Sequence, residues 1–207
     1  MSKDTRTLPR NTNHPIIHFT LVLLLFTQFT FAQTDFYIRL SEAAMDLTKQ
    51  KVSYDPKYFV ITYPNGDIPS NKGVCTDVII RAYRQLGIDL QKEVHEDISL
   101  NFSVYPKIWG LSKPDKNIDH RRVPNLMKFF SRKGQIKPIT QNAIDYLPGD
   151  IVCWDLGGGI THIGMVVNKK SNNGNGYFIV HNIGYGQVLE DRLFEYKIIG
   201  HYRYKKI

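Results

Sequence analysis

A chain of 207 residues that is 42% hydrophobic, 12% aromatic and 22% charged holds enough apolar material for a packed core and is too apolar to be disordered. Lys and Arg outnumber Asp and Glu by 27 to 19, a net charge of +8, but the excess is scattered and forms no basic arm for nucleic acid. Two cysteines exclude a disulfide scaffold of the small secreted kind.

The chain opens with Lys3, Asp4, Arg6 and Arg10 and then runs from Pro15 to Ala32 without a formal charge. That is the layout of an export signal, with Thr30, Ala32 and Gln33 at the cleavage point. Residues 1–32 are therefore read as a signal peptide and 33–207 as one exported domain, in the periplasm or cell envelope. Left uncleaved, the same segment would be the chain's membrane contact, although a spanning helix wants about 20 clean apolar residues and this run contains His18, Gln28 and several Thr. No cysteine ends the run to accept a lipid. A mildly basic exported domain suits polyanionic wall or membrane surfaces and also fits proteins with no such partner.

The mature part has no repeat, no low-complexity tract and no long Ser/Gly linker, which predicts a single compact domain. Phe36, Leu40, Ala43, Ala44 and Leu47 recur at helical spacing and predict a first helix. Val52–Tyr63 is rich in β-formers, is interrupted by Asp55-Pro56, and ends at the turn Pro64-Asn65-Gly66-Asp67. From Val74 to Leu86 the apolar residues again follow a helical period and Gly87 supplies the stop, so Cys75 falls in the first turn of a helix. A helix over Leu90–Leu100, a loop over Tyr105–His120 and a short amphipathic helix over Pro124–Arg132 follow. Then the pattern changes. Ile151–Leu156, His162–Asn168 and Tyr177–Ile183 are short β-rich runs, separated by Gly157-Gly158-Gly159 and by Ser171–Gly176, and predict an antiparallel meander. The tail, Ile198–Tyr204, adds one more strand. Helices followed by strands predict an α+β fold, with N-terminal helices packed on the meander.

A thiol attacks as thiolate, and a helix N-terminus lowers its pKa by presenting unpaired amides and the positive dipole end. Cys75 has that position, and His162 and His181 lie on neighbouring predicted strands. If the hairpin pairs His162 with His181, or sets them diagonally, both imidazoles share one face about 5–8 Å apart at Cβ, whereas a slip of one residue separates them. A helix carrying Cys75 and packed on that face would complete a Cys75–His162–His181 arrangement of nucleophile, base and orienting group. Asn182 is an alternative orienting residue if the register differs.

The blocks Pro148-Gly149-Asp150-Ile151-Val152, His162-Ile163-Gly164-Met165-Val166 and Ile179-Val180-His181 resemble those of the NlpC-type cell-wall peptidases. More narrowly, GVCTDVIIRAYRQLGIDL, VHEDI, YPKIWGLSKPDKNIDHRRVPNL and PGDIV resemble the bacterial domain-of-unknown-function family 1287, over about residues 40–207. The resemblance implies a papain-like cysteine hydrolase acting as a monomer on the stem peptides of peptidoglycan, as an endopeptidase or amidase, without a cofactor and with Cys75, His162 and His181 in the catalytic places. The chain departs from that superfamily at Thr76-Asp77, where Ser-Gly is usual.

Other polar residues are candidates for the substrate cleft. Arg121 or Arg122 would grip a stem carboxylate bidentately, within a wall that includes Trp109, Asp119 and His120. These residues, like the cluster His95-Glu96-Asp97, also fit a salt-bridged loop or solvated helix face. Asp77 is assigned to substrate, or alternatively to first-turn amides or an arginine. Gly164 marks a place where substrate or backbone comes close. Cys153 reads as core, or as a disulfide partner of Cys75. A zinc site from His162, His181 and Asp77 lacks any HxxxH-type spacing. Two further functions compete with hydrolysis: a wall-binding or regulatory module without turnover, and a thiol-redox protein whose two cysteines pair.

Overall fold

The apolar stripe that starts at Phe36 forms helix α1, whose described part covers 35–47 and buries Phe36, Leu40, Ala43, Ala44 and Leu47. The structure is a computed structural model and describes residues 35–206. The expected signal segment and its cleavage point lie outside those residues. Among them, no helix is long and apolar enough to cross a membrane.

Three more helices fall where periodicity puts them: α2 (Cys75–Gln85), α3 (Leu90–Leu100) and α4 (Val123–Lys133). Their ends have local causes. At the end of α2, Gly87 adopts φ 78°, its amide bonds to the Arg84 carbonyl (2.9 Å), and the Ile88 amide bonds to Tyr83 O (3.1 Å). Asp89 caps α3 by accepting from the Lys92 amide at 3.3 Å. The stretch 52–63 does not become a full strand. Only Ser53–Tyr54 (β1) is extended in a sheet, parallel to Lys72–Gly73 (β2). After the amides of Ser53 and Asp55 the next ladder donor would be that of Lys57, but the Asp55 carboxylate takes it instead (3.0 Å).

The second half builds a six-stranded antiparallel sheet from β3 (Gln135–Ile136), β4 (Ile151–Asp155), β5 (Thr161–Lys170), β6 (Tyr177–His181), β7 (Val188–Glu190) and β8 (Lys197–Arg203). The order is β3-β8-β4-β5-β6-β7. The predicted meander is present, so the fold is α+β with helices on an antiparallel sheet. The tail strand takes an interior position between β3 and β4. It is held there by Asp150 at the entrance of β4, which accepts from the Leu147 amide (2.8 Å) and His201 Nε2 (2.7 Å) and pairs with Arg203. The Pro148-Gly149-Asp150 block thus ties the start of β4 to the end of β8.

Strand β5 is buried on both faces. Ile163, Met165 and Val167 pack under the helices with Val78, Ile79 and Tyr83, whereas Val166 joins Tyr146, Val152, Trp154, Ile179 and Leu193 in a second cluster on the opposite face. In β6 the pairing sets Gly164 opposite His181 and Met165 opposite Val180. Gly164 is glycine for a packing reason: a Cβ there would lie 2.9 Å from Ile179 Cγ2, 3.1 Å from His181 Cβ and 3.1 Å from Trp154 Cζ3. The close approach expected at this glycine is therefore made by the protein's own side chains. Gly164→Ala is expected to lower stability by about 1–3 kcal/mol, read as a lower urea midpoint with an unchanged slope.

Candidate active site

Helix α2 begins at Cys75, with Val74 extended before it (φ −125°). The Val74 amide donates to Asp77 Oδ2 (2.7 Å), and Arg121 closes on the same carboxylate with Nε (3.0 Å) and Nη2 (3.1 Å). Arg121 Nη1 also reaches Lys57 O (3.0 Å), and Thr76 Oγ1 donates to Arg121 O (3.3 Å). The first turn of α2 is thus clamped to the 3₁₀ turn Asp119–Arg121. This corrects the assignment of Asp77 and Arg121 to substrate. Their side chains are 3% and 2% exposed, every guanidinium nitrogen is bound inside the protein, and nothing is left to fork onto a ligand. Thr76 and Asp77, which stand where the resemblance led one to expect Ser-Gly, take part in four of these five contacts.

On the sheet, the diagonal register brings the two histidines together. His162 Nε2 lies 2.7 Å from His181 Nδ1, with the rings 5.0 Å apart and steeply inclined at 67°. His181 Nε2 lies 2.8 Å from Glu190 Oε2 on β7, and Arg192 Nε is 3.1 Å from that same oxygen. The Trp154 ring stands 5.7 Å from His162, fixed by its indole N–H donating to Leu193 O (2.9 Å). Asn182, the alternative orienting residue, is occupied elsewhere: its Nδ2 donates to Gly73 O (3.2 Å) and its Oδ1 accepts from Gly184 (3.1 Å). Glu190 escaped the sequence reading. Its strand is three half-buried residues without alternation, and its one signal is a Val-Leu-Glu run behind the turn Gly184-Tyr185-Gly186.

The helix does not pack on the histidine face as expected. The body of α2 lies on the Ile163 and Met165 side, because alternation along β5 sends His162 the other way. Cys75 meets β5 at the amide of Ile163, the residue after His162. Among the described residues, no hydrogen bond joins Cys75 to either imidazole. The electrostatics also reverse an expectation. Burial pushes the Cys75 thiol up to about 12; the amides of Ile163, Thr76 and Cys75 itself pull it down and Asp77 raises it further, so desolvation outweighs the helix N-terminus. His162 is held at about 3 by burial and then by the neighbouring His181, while His181 is lowered by burial against the opposing pull of Glu190. The resting site holds a neutral thiol and neutral imidazoles. Tyr54, paired with Gly73 in the β1–β2 ladder, has its hydroxyl raised chiefly by burial and further by the nearby Asp77 carboxylate, against Arg121.

The remaining candidates divide. Trp109, Asp119 and Arg122 line one shallow hollow together with Tyr105 and Asn125. The Arg122 guanidinium stacks 4.2 Å from the Trp109 ring and lies 3.7 Å from Asp119. His120 turns inward. Burial, then Arg121, Arg84 and His95, hold it at about 3, and it stands outside that hollow. Asp97 is bound by Arg132 (2.7 Å), Tyr105 (2.6 Å) and Lys133 (3.2 Å), which makes it the structural member of the His95-Glu96-Asp97 cluster, while Glu96 pairs at the surface with Lys92. Cys75 and Cys153 are both free thiols, so the disulfide alternative is overturned, and Cys153 is core. Among the described residues, no group of three or more His, Cys, Asp or Glu is arranged to hold a metal ion.

A family profile described as "Domain of unknown function (DUF1287)" matches residues 41–204. The Escherichia coli (strain K12) "Uncharacterized protein YijF" is 46% identical over 172 residues, covering 83% of each chain. Among solved structures, NlpC1 from Trichomonas vaginalis overlays at a TM-score of 0.42 with 20% identity over 81% of this chain and 45% of its own. NlpC2 from the same organism overlays at 0.41 with 19% identity, over 80% of this chain and 47% of its own. The chain thus spans less than half the length of these two structures.

Two outcomes follow from the site's geometry. Because the thiol is raised, the thiolate fraction grows with pH throughout the accessible range, and the iodoacetamide labelling rate of Cys75 should rise about tenfold per pH unit from about 6 to 10. A plateau below neutral pH would reveal a preformed thiolate–imidazolium pair instead. Arg121→Met leaves the Asp77 carboxylate buried and unpaired and should cost about 3–5 kcal/mol in chemical denaturation.

Proposed function

The chain belongs to the DUF1287 family, and on that premise we propose that it is an exported thiol hydrolase with a papain-like, NlpC-type site, cleaving an amide bond in the stem peptides of peptidoglycan. The observation that carries this reading is the ordered pair His162–His181, with Cys75 at a helix start against the next residue of the same strand. The motif blocks around Cys75, Asp150, His162 and His181 support it independently.

In this reading, substrate displaces water around Cys75 and brings its carbonyl to the sulfur. The resting thiol is hydrogen-bonded to neither imidazole, and catalytic contacts of this kind commonly close only when substrate is bound; His162 Nε2 is engaged by His181, so Nδ1 is the nitrogen left to take the thiol proton as the sulfur–carbon bond forms. The amide of Cys75, in the unpaired first turn of α2, donates to the developing oxyanion. Nδ1 then protonates the leaving amine as the carbon–nitrogen bond breaks. A water, deprotonated by the same nitrogen, releases the acid from the thioester, and the proton returns to sulfur. A neutral thiol and a neutral imidazole make proton transfer part of the attack. The hollow of Trp109, Asp119 and Arg122 contributes a guanidinium for a stem carboxylate.

A second reading, a wall-binding module without turnover, is favoured by the burial of the thiol, which is only 7% exposed. Digestion of purified sacculi separates the two. The mature chain should release muropeptides whose masses name the cleaved bond, Cys75→Ala should release none, and His162→Ala should slow release about 10²–10⁴-fold. Equal product profiles for the wild type and Cys75→Ala would overturn the hydrolase reading, and retention of both on sacculi would then favour the binding module.

A further inference from the structure

An ionised carboxylate can only accept hydrogen bonds, and Glu190 sits 2.8 Å from His181 Nε2. That single contact dictates protons two residues away. His181 Nε2 must carry its hydrogen. Because burial keeps His181 neutral, its Nδ1 is then bare and can only accept. The nitrogen facing it at 2.7 Å, His162 Nε2, must therefore donate. His162 is also neutral, so its remaining nitrogen, Nδ1, is left with a lone pair and no proton.

From this chain of obligate roles we infer that Glu190 is a positioning residue that sets the tautomer of both histidines and leaves His162 Nδ1 as the bare base. The fold supports the assignment at three points. The β6–β7 pairing of His181 with Val188 and Ile179 with Glu190 carries Glu190 on a strand directly beside β6. Arg192 Nε, 3.1 Å from Glu190 Oε2, holds the carboxylate against the imidazole and is itself held by Glu195 through Nη1 at 2.6 Å. The pocket on this side is walled by Trp154, Ile179, Arg192 and Tyr196 around the two rings, which leaves the imidazoles few alternative partners. In the opposite tautomer, a bare His181 Nε2 would face a carboxylate that has no hydrogen to give. His162 Nδ1 would then carry a proton, and the thiol would have no acceptor in the ring.

The inference rests on the reading of Cys75 and His162 as nucleophile and base, but its central observable needs no substrate. Long-range ¹H–¹⁵N spectra of the ¹⁵N-labelled full chain near neutral pH should show Nε2–H and bare Nδ1 in both His162 and His181. Glu190→Ala should move His181 and His162 toward the Nδ1–H form, and Glu190→Gln, whose amide oxygen still accepts, should restore most of the wild-type pattern. In muropeptide turnover, Glu190→Ala should lower kcat about 10–100-fold, the scale on which outer orienting partners act, with little change in KM and with recovery in Glu190→Gln. An unchanged near-UV circular dichroism spectrum excludes a general packing defect. Nδ1–H on wild-type His162 would overturn the inference, as would tautomers or kcat that ignore Glu190→Ala. Should the wild type turn over no muropeptide while its tautomers respond to Glu190→Ala, the hydrolase reading falls and the role of Glu190 in ordering the protons stands.

Discussion

The register between β5 and β6 is the constraint on which the rest depends. With Gly164 opposite His181, the residues of β5 divide between two buried faces: Ile163, Met165 and Val167 go under the helices, and His162 goes with Trp154, Ile179 and His181. Side chains alternate along a strand, so a slip of one residue would drive an imidazole into the apolar layer beneath α2 and turn isoleucine toward the polar network. Burial on both faces makes that slip costly, and the absence of a side chain at Gly164 makes room for the register that is used.

A second constraint fixes the thiol. The buried clamp of Asp77 and Arg121 ties the start of α2 to the Asp119–Arg121 turn, so Cys75 approaches β5 at the Ile163 amide and not across the centre of the sheet. Breaking such a pair leaves a bare charge in a low-dielectric interior, and for that reason the pair governs local geometry more than it adds to stability. The same burial sets the chemistry. Desolvation outweighs the amides around the sulfur, and it keeps both imidazoles neutral, so the site rests uncharged beside the charged pair of Glu190 and Arg192 at its edge.

The helices were legible because their causes are local: apolar spacing in α2 and α3 and a glycine stop at Gly87 are contained within one or two turns. The histidine pair was legible only in part: a short loop narrows the register of a hairpin, but the parity that puts both rings on one face was settled by the β5–β6 pairing. Arg121 was not. Its partner, Asp77, lies 44 positions away, and the same residue types would serve equally well in a substrate cleft. Nor was Glu190, which ends a strand too short and too evenly half-buried to show a period.

The amino-acid sequence by itself determined the α+β class and the placement of Cys75 at a helix start, because each follows from periodicity over a short span, and it narrowed His162 and His181 to a few neighbouring registers. Only the tertiary structure decided which face α2 covers, that Asp77 and Arg121 are spent on each other, that Glu190 meets His181, and that burial raises the thiol. Each of these depends on what surrounds a group in three dimensions. Desolvation and long-range pairing are properties of the assembled fold, and no local pattern in the chain encodes them.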